Sequence, residues 1–316
     1  MTPGFLLVGI AGLVCGMPAL AGTFSFQTVI SPGDPAFTQL LGINNFSTIA
    51  GYFGDGSVVP NHGFTLVLPG SFTSENFPGS AQTQVVGINN AGETVGFWID
   101  GSGVTHGFTD NGGTFMTVDD PSTTTVTQLL GINNLGTAAG YWTDAASDFH
   151  PFTWTGGTFT PISFAGLVSA QATDVNDTGE ITGFNMTSPT TSDGFLDIGG
   201  VFTMLDFPGS VFTQALGLNN AGQVVGDYVD AGGFMHGFVY YVATGTYQSV
   251  DDPNGIGTTT INGINDGGRL VGFYVDASHN TDGFVGSPAP APEPGSLYLF
   301  GTGLAAVLLK LLRRRA

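Results

Sequence analysis

Between two apolar terminal segments, the hydrophobic residues of this chain fall in short runs. Gly, Asn, Asp or Pro break them every few positions, and no stretch keeps the 3.6-residue period of a helix. One apolar phrase recurs: Gly42-Ile43-Asn44, Gly87-Ile88-Asn89, Gly131-Ile132-Asn133, Gly217-Leu218-Asn219 and Gly263-Ile264-Asn265, with a degenerate copy at Asp174-Val175-Asn176. The steps are 45, 44, 43, 43 and 46 residues, so six copies cover the body of the chain. Each copy repeats one internal order. An apolar/Thr run such as TQLLGIN leads to a turn such as Asn90-Ala91-Gly92, which suits a hairpin loop with Gly in the left-handed region. A strand such as ETVGFWID follows, then a strand at His106-Gly107-Phe108 and one opening Gly113-Thr114-Phe115.

Four short strands in a repeat of about 44 residues is the pattern of a β-propeller blade. The pattern therefore predicts an all-β fold: a six-bladed β-propeller of four-stranded blades. Its ends are permuted. No Gly-Thr-Phe strand follows the last phrase, Asp282-Gly283-Phe284, and the missing copy stands at Gly22-Thr23-Phe24. The N-terminal strand is expected to complete the last blade and leave no unpaired seam. One strand position is always glycine: Gly51, Gly96, Gly140, Gly183, Gly226 and Gly272. The next residue is aromatic except at Asp227, and the one after is aromatic except at Asn185, which suits sheets packed on both faces. Taken together, the G-I-N-N-x-G, V-G-x-x-x-D and H-G-F phrases over residues 22–285 resemble the extracellular HAF repeat family. That resemblance implies an exported repeat protein and supplies no activity. Blade 4 departs most, with Asp174 for Gly and Asp193 for His.

The terminal segments read as addresses. Residues 5–14 are an apolar run followed by Ala19-Leu20-Ala21, so residues 1–21 are expected to be a signal peptide cleaved after Ala21. Cys15, the only cysteine, leaves with it, and the mature chain has no thiol chemistry. The propeller is expected over 22–286 and a Pro/Ala linker over 287–295. Residues 296–316 read as a transmembrane helix with an Arg cluster. The order Pro292-Glu293-Pro294, apolar helix, Arg313-Arg314-Arg315 resembles the bacterial PEP-CTERM sorting signal. It implies processing by an exosortase-type enzyme and delivery to the cell surface or extracellular matrix, with membrane contact only through the tail.

Charge narrows the partners. Twenty-four acids face 5 bases, and Arg269 is the one base between the terminal segments, so nucleic acid is a poor partner. Gly-x-Ser-x-Gly, His-Glu-x-x-His, the phosphate loop and the EF-hand loop are all missing, and no catalytic residue or cofactor is assigned. Asp55/His62, Asp100/His106, Asp144/His150 and Asp230/His236 each straddle one hairpin loop and read as structural pairs. Asp276 faces Asp282 where four blades have His; a proton or cation between them would relieve the repulsion, which makes this pair the candidate calcium site. The Asp119-Asp120 and Asp251-Asp252 pairs read as turn-formers. The expectation is a non-enzymatic surface or matrix module that binds exopolysaccharide or other surface proteins. A carbohydrate-active enzyme and a periplasmic assembly scaffold are the alternatives.

Overall fold

The structure is a computed structural model that describes residues 23–255 and 257–289. The signal segment, Pro292, Glu293, Pro294, the apolar helix expected over 296–316 and Arg313, Arg314 and Arg315 lie outside the described residues. The compact unit Phe24–Pro288 is a ring of six four-stranded antiparallel sheets, a six-bladed β-propeller. The first complete sheet runs β2 (Thr38–Ile43), β3 (Thr48–Phe53), β4 (His62–Val67) and β5 (Ser71–Ser74) in chain order. Four more sheets repeat that order. Their first strands are β6 (Gln82–Ile88), β10 (Thr127–Ile132), β14 (Ala170–Val175) and β18 (Phe212–Leu218). The last sheet is β22 (Thr260–Ile264), β23 (Leu270–Val275), β24 (Thr281–Pro288) and then β1 (Phe24–Val29). The N-terminal strand thus closes the last blade, paired to β24 from Phe24↔Pro288 to Val29↔Gly283. The first strands touch one another in an unbroken cycle in which β22 meets β2.

Every blade is built around one glycine–phenylalanine pair. Gly51 lies opposite Phe64 in the β3/β4 register, and the same pairing recurs at Gly96/Phe108, Gly140/Phe152, Gly183/Phe195, Gly226/Phe238 and Gly272/Phe284. These six Phe are the largest fully buried side chains. A Cβ at Gly226 would sit 1.9 Å from the carbonyl oxygen of Gln214 on the neighbouring strand, so the position cannot carry a side chain. The first strand of each blade also carries a β-bulge, seen at Leu40/Gly42 and at the five equivalent places. It bends the strand where it lines the ring axis.

Closure by β1 gives the first expected outcome. Removing residues 1–29 strips β24 of its partner and bares Phe284, which packs edge-on to Phe26 with ring centroids 5.5 Å apart. At about 1 kcal/mol per lost ladder hydrogen bond, urea unfolding should show a loss of several kcal/mol relative to a chain lacking only residues 1–22. Equal stability of the two would show that β1 does not close the ring.

Candidate functional site

The Gly-Ile-Asn turns build one mouth of the ring axis. Each turn asparagine uses its side chain twice. Asn44 Oδ1 accepts from the backbone N–H groups of Phe46 and Thr48, which fixes its own turn. Its Nδ2 donates to the backbone carbonyl of Asn89 in the next blade at 3.0 Å. Asn89 repeats the gesture toward Asn133, Asn133 toward Asn176, Asn176 toward Asn219, Asn219 toward Asn265, and Asn265 back to Asn44. A second closed ring lies beside it. The backbone N–H of Asn45 donates to Asn90 Oδ1, and the relay runs through Asn134, Asp177, Asn220 and Asp266 back to Asn45. Asn220 Nδ2 bridges both carboxylates of this ring, Asp177 and Asp266, at 3.1 Å each.

Behind this mouth the axis holds a cavity of about 560 Å³. Carboxamides line it (Gln39, Gln84, Gln171, Gln214 and Asn262), together with the rings of Phe97, Phe184 and Phe273, and no basic residue lines it. Two further acids line it, Asp227 buried and Asp174 half-buried. Asp174 stands where five blades have glycine and accepts from the N–H groups of Val175 and Leu218. Asp227 stands where the other blades have an aromatic ring. Thr260 donates to its Oδ2 at 3.1 Å, and its Oδ1 has no hydrogen-bond partner. Burial pushes both carboxyls up to about 7. Both acids stood out in the sequence only as departures from the repeat; nothing local places them in one cavity.

The Asp/His motifs lie along the blades, away from this cavity lining. His150 Nε2 lies 3.1 Å from Asp144, and His106 and His236 lie 3.7 and 3.6 Å from Asp100 and Asp230. Each of the last two has a closer partner on its other nitrogen: Asp119 at 2.9 Å and Asp251 at 3.0 Å. The turn-forming role expected of the two Asp-Asp pairs therefore belongs to Asp120 and Asp252, which cap Ser122 and Asn254, while the first acid of each holds a histidine. Asp55 and His62 are not paired. Their loop is one residue longer, Asp55 accepts from Ser57, Val58 and Val59, and His62 lies against the Phe53 ring. The histidines stack on aromatic neighbours, as His150 does on Trp142 with centroids 4.0 Å apart.

Asp276 accepts from Ser278 and Asn280 and so caps its own loop. Asp282 is buried, and its carboxyl is raised by that burial and by the charge of Asp276. Blade 4 brings a second acid pair together: Asp206 is raised by burial and by Asp193, which shares a hydrogen bond with it. No three His, Cys, Asp or Glu side chains converge as a metal-binding group among the described residues.

No family model matches the chain, and no curated protein matches it. Solved structures do. TolB from Acinetobacter baumannii aligns with a TM-score of 0.52 at 9% identity, over 81% of this chain and 66% of that one. A mutant of Aleuria aurantia lectin in complex with Fucalpha1-6GlcNAc aligns at 0.47 and 11% identity, over 83% and 99%. AofleA from Arthrobotrys oligospora, also a mutant, aligns at 0.48 and 11%, over 84% of each chain. At these identities the likeness is one of fold.

The raised acids set a pH dependence. A carboxyl raised to about 7 holds its proton in the folded chain between about pH 4 and 7, where the unfolded chain has released it. Stability therefore falls as pH rises through that window. Glu75, raised to about 7 by burial despite a hydrogen bond from Thr94, acts with the same sign. Asp55 and Asp100, lowered to about 2 mainly by backbone N–H donors, act oppositely, and their contribution is lost only as pH falls from about 4 toward 2. Urea melts should give a free energy of unfolding that declines from about pH 4.5 to about pH 7.5. In the Asp174→Asn/Asp227→Asn chain the decline should be shallower, with Glu75 and the other raised carboxyls, Asp206 and Asp282 among them, keeping their share; an unchanged slope would show that burial raises neither Asp174 nor Asp227.

Proposed function

We propose that this chain is an exported cell-surface or matrix protein whose propeller is a non-enzymatic module that binds neutral exopolysaccharide. The observation that carries the reading is the lining of the axial cavity. Carboxamides donate and accept at once, as sugar hydroxyls do, and aromatic faces suit the C–H faces of a pyranose ring. Among the described residues, the side chains of Gln171 and Gln214 spend no hydrogen bond on the protein. The lack of basic lining residues disfavours anionic ligands.

The address rests on the terminal motifs: the apolar segment with Ala19-Leu20-Ala21, and Pro292-Glu293-Pro294 ahead of the arginine cluster. In this reading an exosortase-type enzyme processes the tail and the propeller is released to the surface polymer. Incubating the full chain with immobilised neutral glycans, with a reducing-end assay on the same samples, tests the proposal. Retention of the chain without release of reducing ends is expected. Release of reducing ends that is lost on replacing an acid pair would overturn it in favour of a carbohydrate-active enzyme.

A further inference from the structure

The propeller repeats its parts six times, so a ligand that read only the repeat would find six equal places. The cavity lining is not equal. One register position holds Gln39, Gln84, Gln128, Gln171 and Gln214 in five blades, all but Gln128 lining the cavity, and Thr260 in the sixth. At the next lining position Leu41, Val86, Leu130 and Leu216 give way to Thr173 in the fourth blade and Asn262 in the sixth. Beside Thr260, across the blade interface, the aromatic of the repeat gives way to Asp227. Two of these departures, Thr260 and Asp227, therefore meet at one place, and each replaces bulk or apolar surface by a smaller or more polar group, while Asn262 turns its amide to the carbonyl of Leu40 in the first blade.

Asp227 is 4% exposed and lines the cavity, yet its Oδ1 has no partner. A buried carboxylate oxygen without a donor is unfavourable, and Asp174 on the same lining has no such oxygen: it spends its oxygens on the N–H groups of Val175 and Leu218. Any donor reaching Oδ1 through the cavity meets the free carboxamides of Gln171 and Gln214 on the same lining. A simple cation would satisfy the carboxylate but leave those N–H donors idle; a polyol satisfies both.

We propose that the recess beside Asp227 and Thr260 is a single sugar-binding site in the axial cavity, in which one hydroxyl of a neutral pyranose donates to Asp227 Oδ1. The site takes one sugar residue per chain, presented at the end of a glycan, since the entry mouth is girdled by the closed Asn/Asp ring. This deepens the exopolysaccharide reading above and rests on it.

The test titrates the full chain calorimetrically with the methyl glycosides of glucose, galactose, mannose and fucose. At least one should bind with a stoichiometry of one. Thr260→Gln, which restores the residue type of five blades, and Asp227→Phe, which restores that of Phe97 and Phe184, should each weaken it by about tenfold or more. Thr260→Gln keeps a polar donor beside Asp227, and its melting curve and circular dichroism show that the variant is folded. Unchanged affinity in a folded Thr260→Gln chain, several sites per chain, or binding of methylammonium in place of every glycoside would each overturn the assignment. If immobilised glycan still retains both variants as it retains the parent, this site falls while the exopolysaccharide reading stands. If the parent itself is not retained by any glycan, both fall.

Discussion

Six sheets can form a ring only if neighbouring blades meet at backbone distance around the axis, and here that contact is made by asparagine side-chain amides. Each amide is shared between two tasks. Its oxygen holds the turn that ends one blade's first strand, and its nitrogen grips the carbonyl of the next blade. The six links close on themselves, Asn265 to Asn44 completing the cycle. At about 1 kcal/mol net per hydrogen bond, the ring contributes as much through what it forbids as through what it adds. Removing one member strands a buried carbonyl and two half-buried N–H groups. The glycine preceding each aliphatic-Asn pair serves the same approach: a Cβ on Gly42 would lie 2.6 Å from the carbonyl oxygen of Val86 in the next blade. Blade 4 shows the alternative solution. Asp174 replaces the glycine and spends its carboxylate on the N–H of Leu218 in blade 5, so the closest approach is traded for a half-buried acid.

The cavity is a consequence of that ring. Bulged first strands, held apart by their side chains but tied at the Asn turns, leave the axis open and line it with whatever occupies the tier behind. Where the repeat is kept, that lining is glutamine backed by an aromatic ring, as with Tyr52, whose hydroxyl donates to Gln39. Where it is broken, at Asp227 and Thr260, the same scaffold offers an uncompensated acceptor. Structural repetition thus supplies rigidity, and local departure from it supplies individuality.

Much of this was legible in the sequence, because blade count, strand order and the permuted first strand all follow from local phrases at a fixed spacing. The turn glycines adopt the left-handed conformation that Asn-x-Gly implies, with φ +83° at Gly92, and Ser47 takes that conformation, φ +63°, in the one blade without glycine there. What stayed hidden is what crosses between blades. Asn133 reads locally as an ordinary turn residue, and nothing near it in the chain shows that its amide reaches Asn176. The second partner of His106 lies 13 residues on, beyond the loop that made Asp100 the visible one. Asp227 was visible as an exception, but its buried place against Thr260 depends on packing between the fifth and sixth blades.

The asparagine ring is the claim on which the rest stands, and Asn133→Ala tests it most directly. Asn133 is 6% exposed, donates to Asn176 at 2.9 Å and accepts from Leu135 and Thr137. Equilibrium urea unfolding of the variant should show a loss of roughly 2–4 kcal/mol, the cost of one interblade link and the buried groups it leaves unpaired. A variant that unfolds at the same urea concentration as the parent, with the same slope, would show that the blades are held together without the ring.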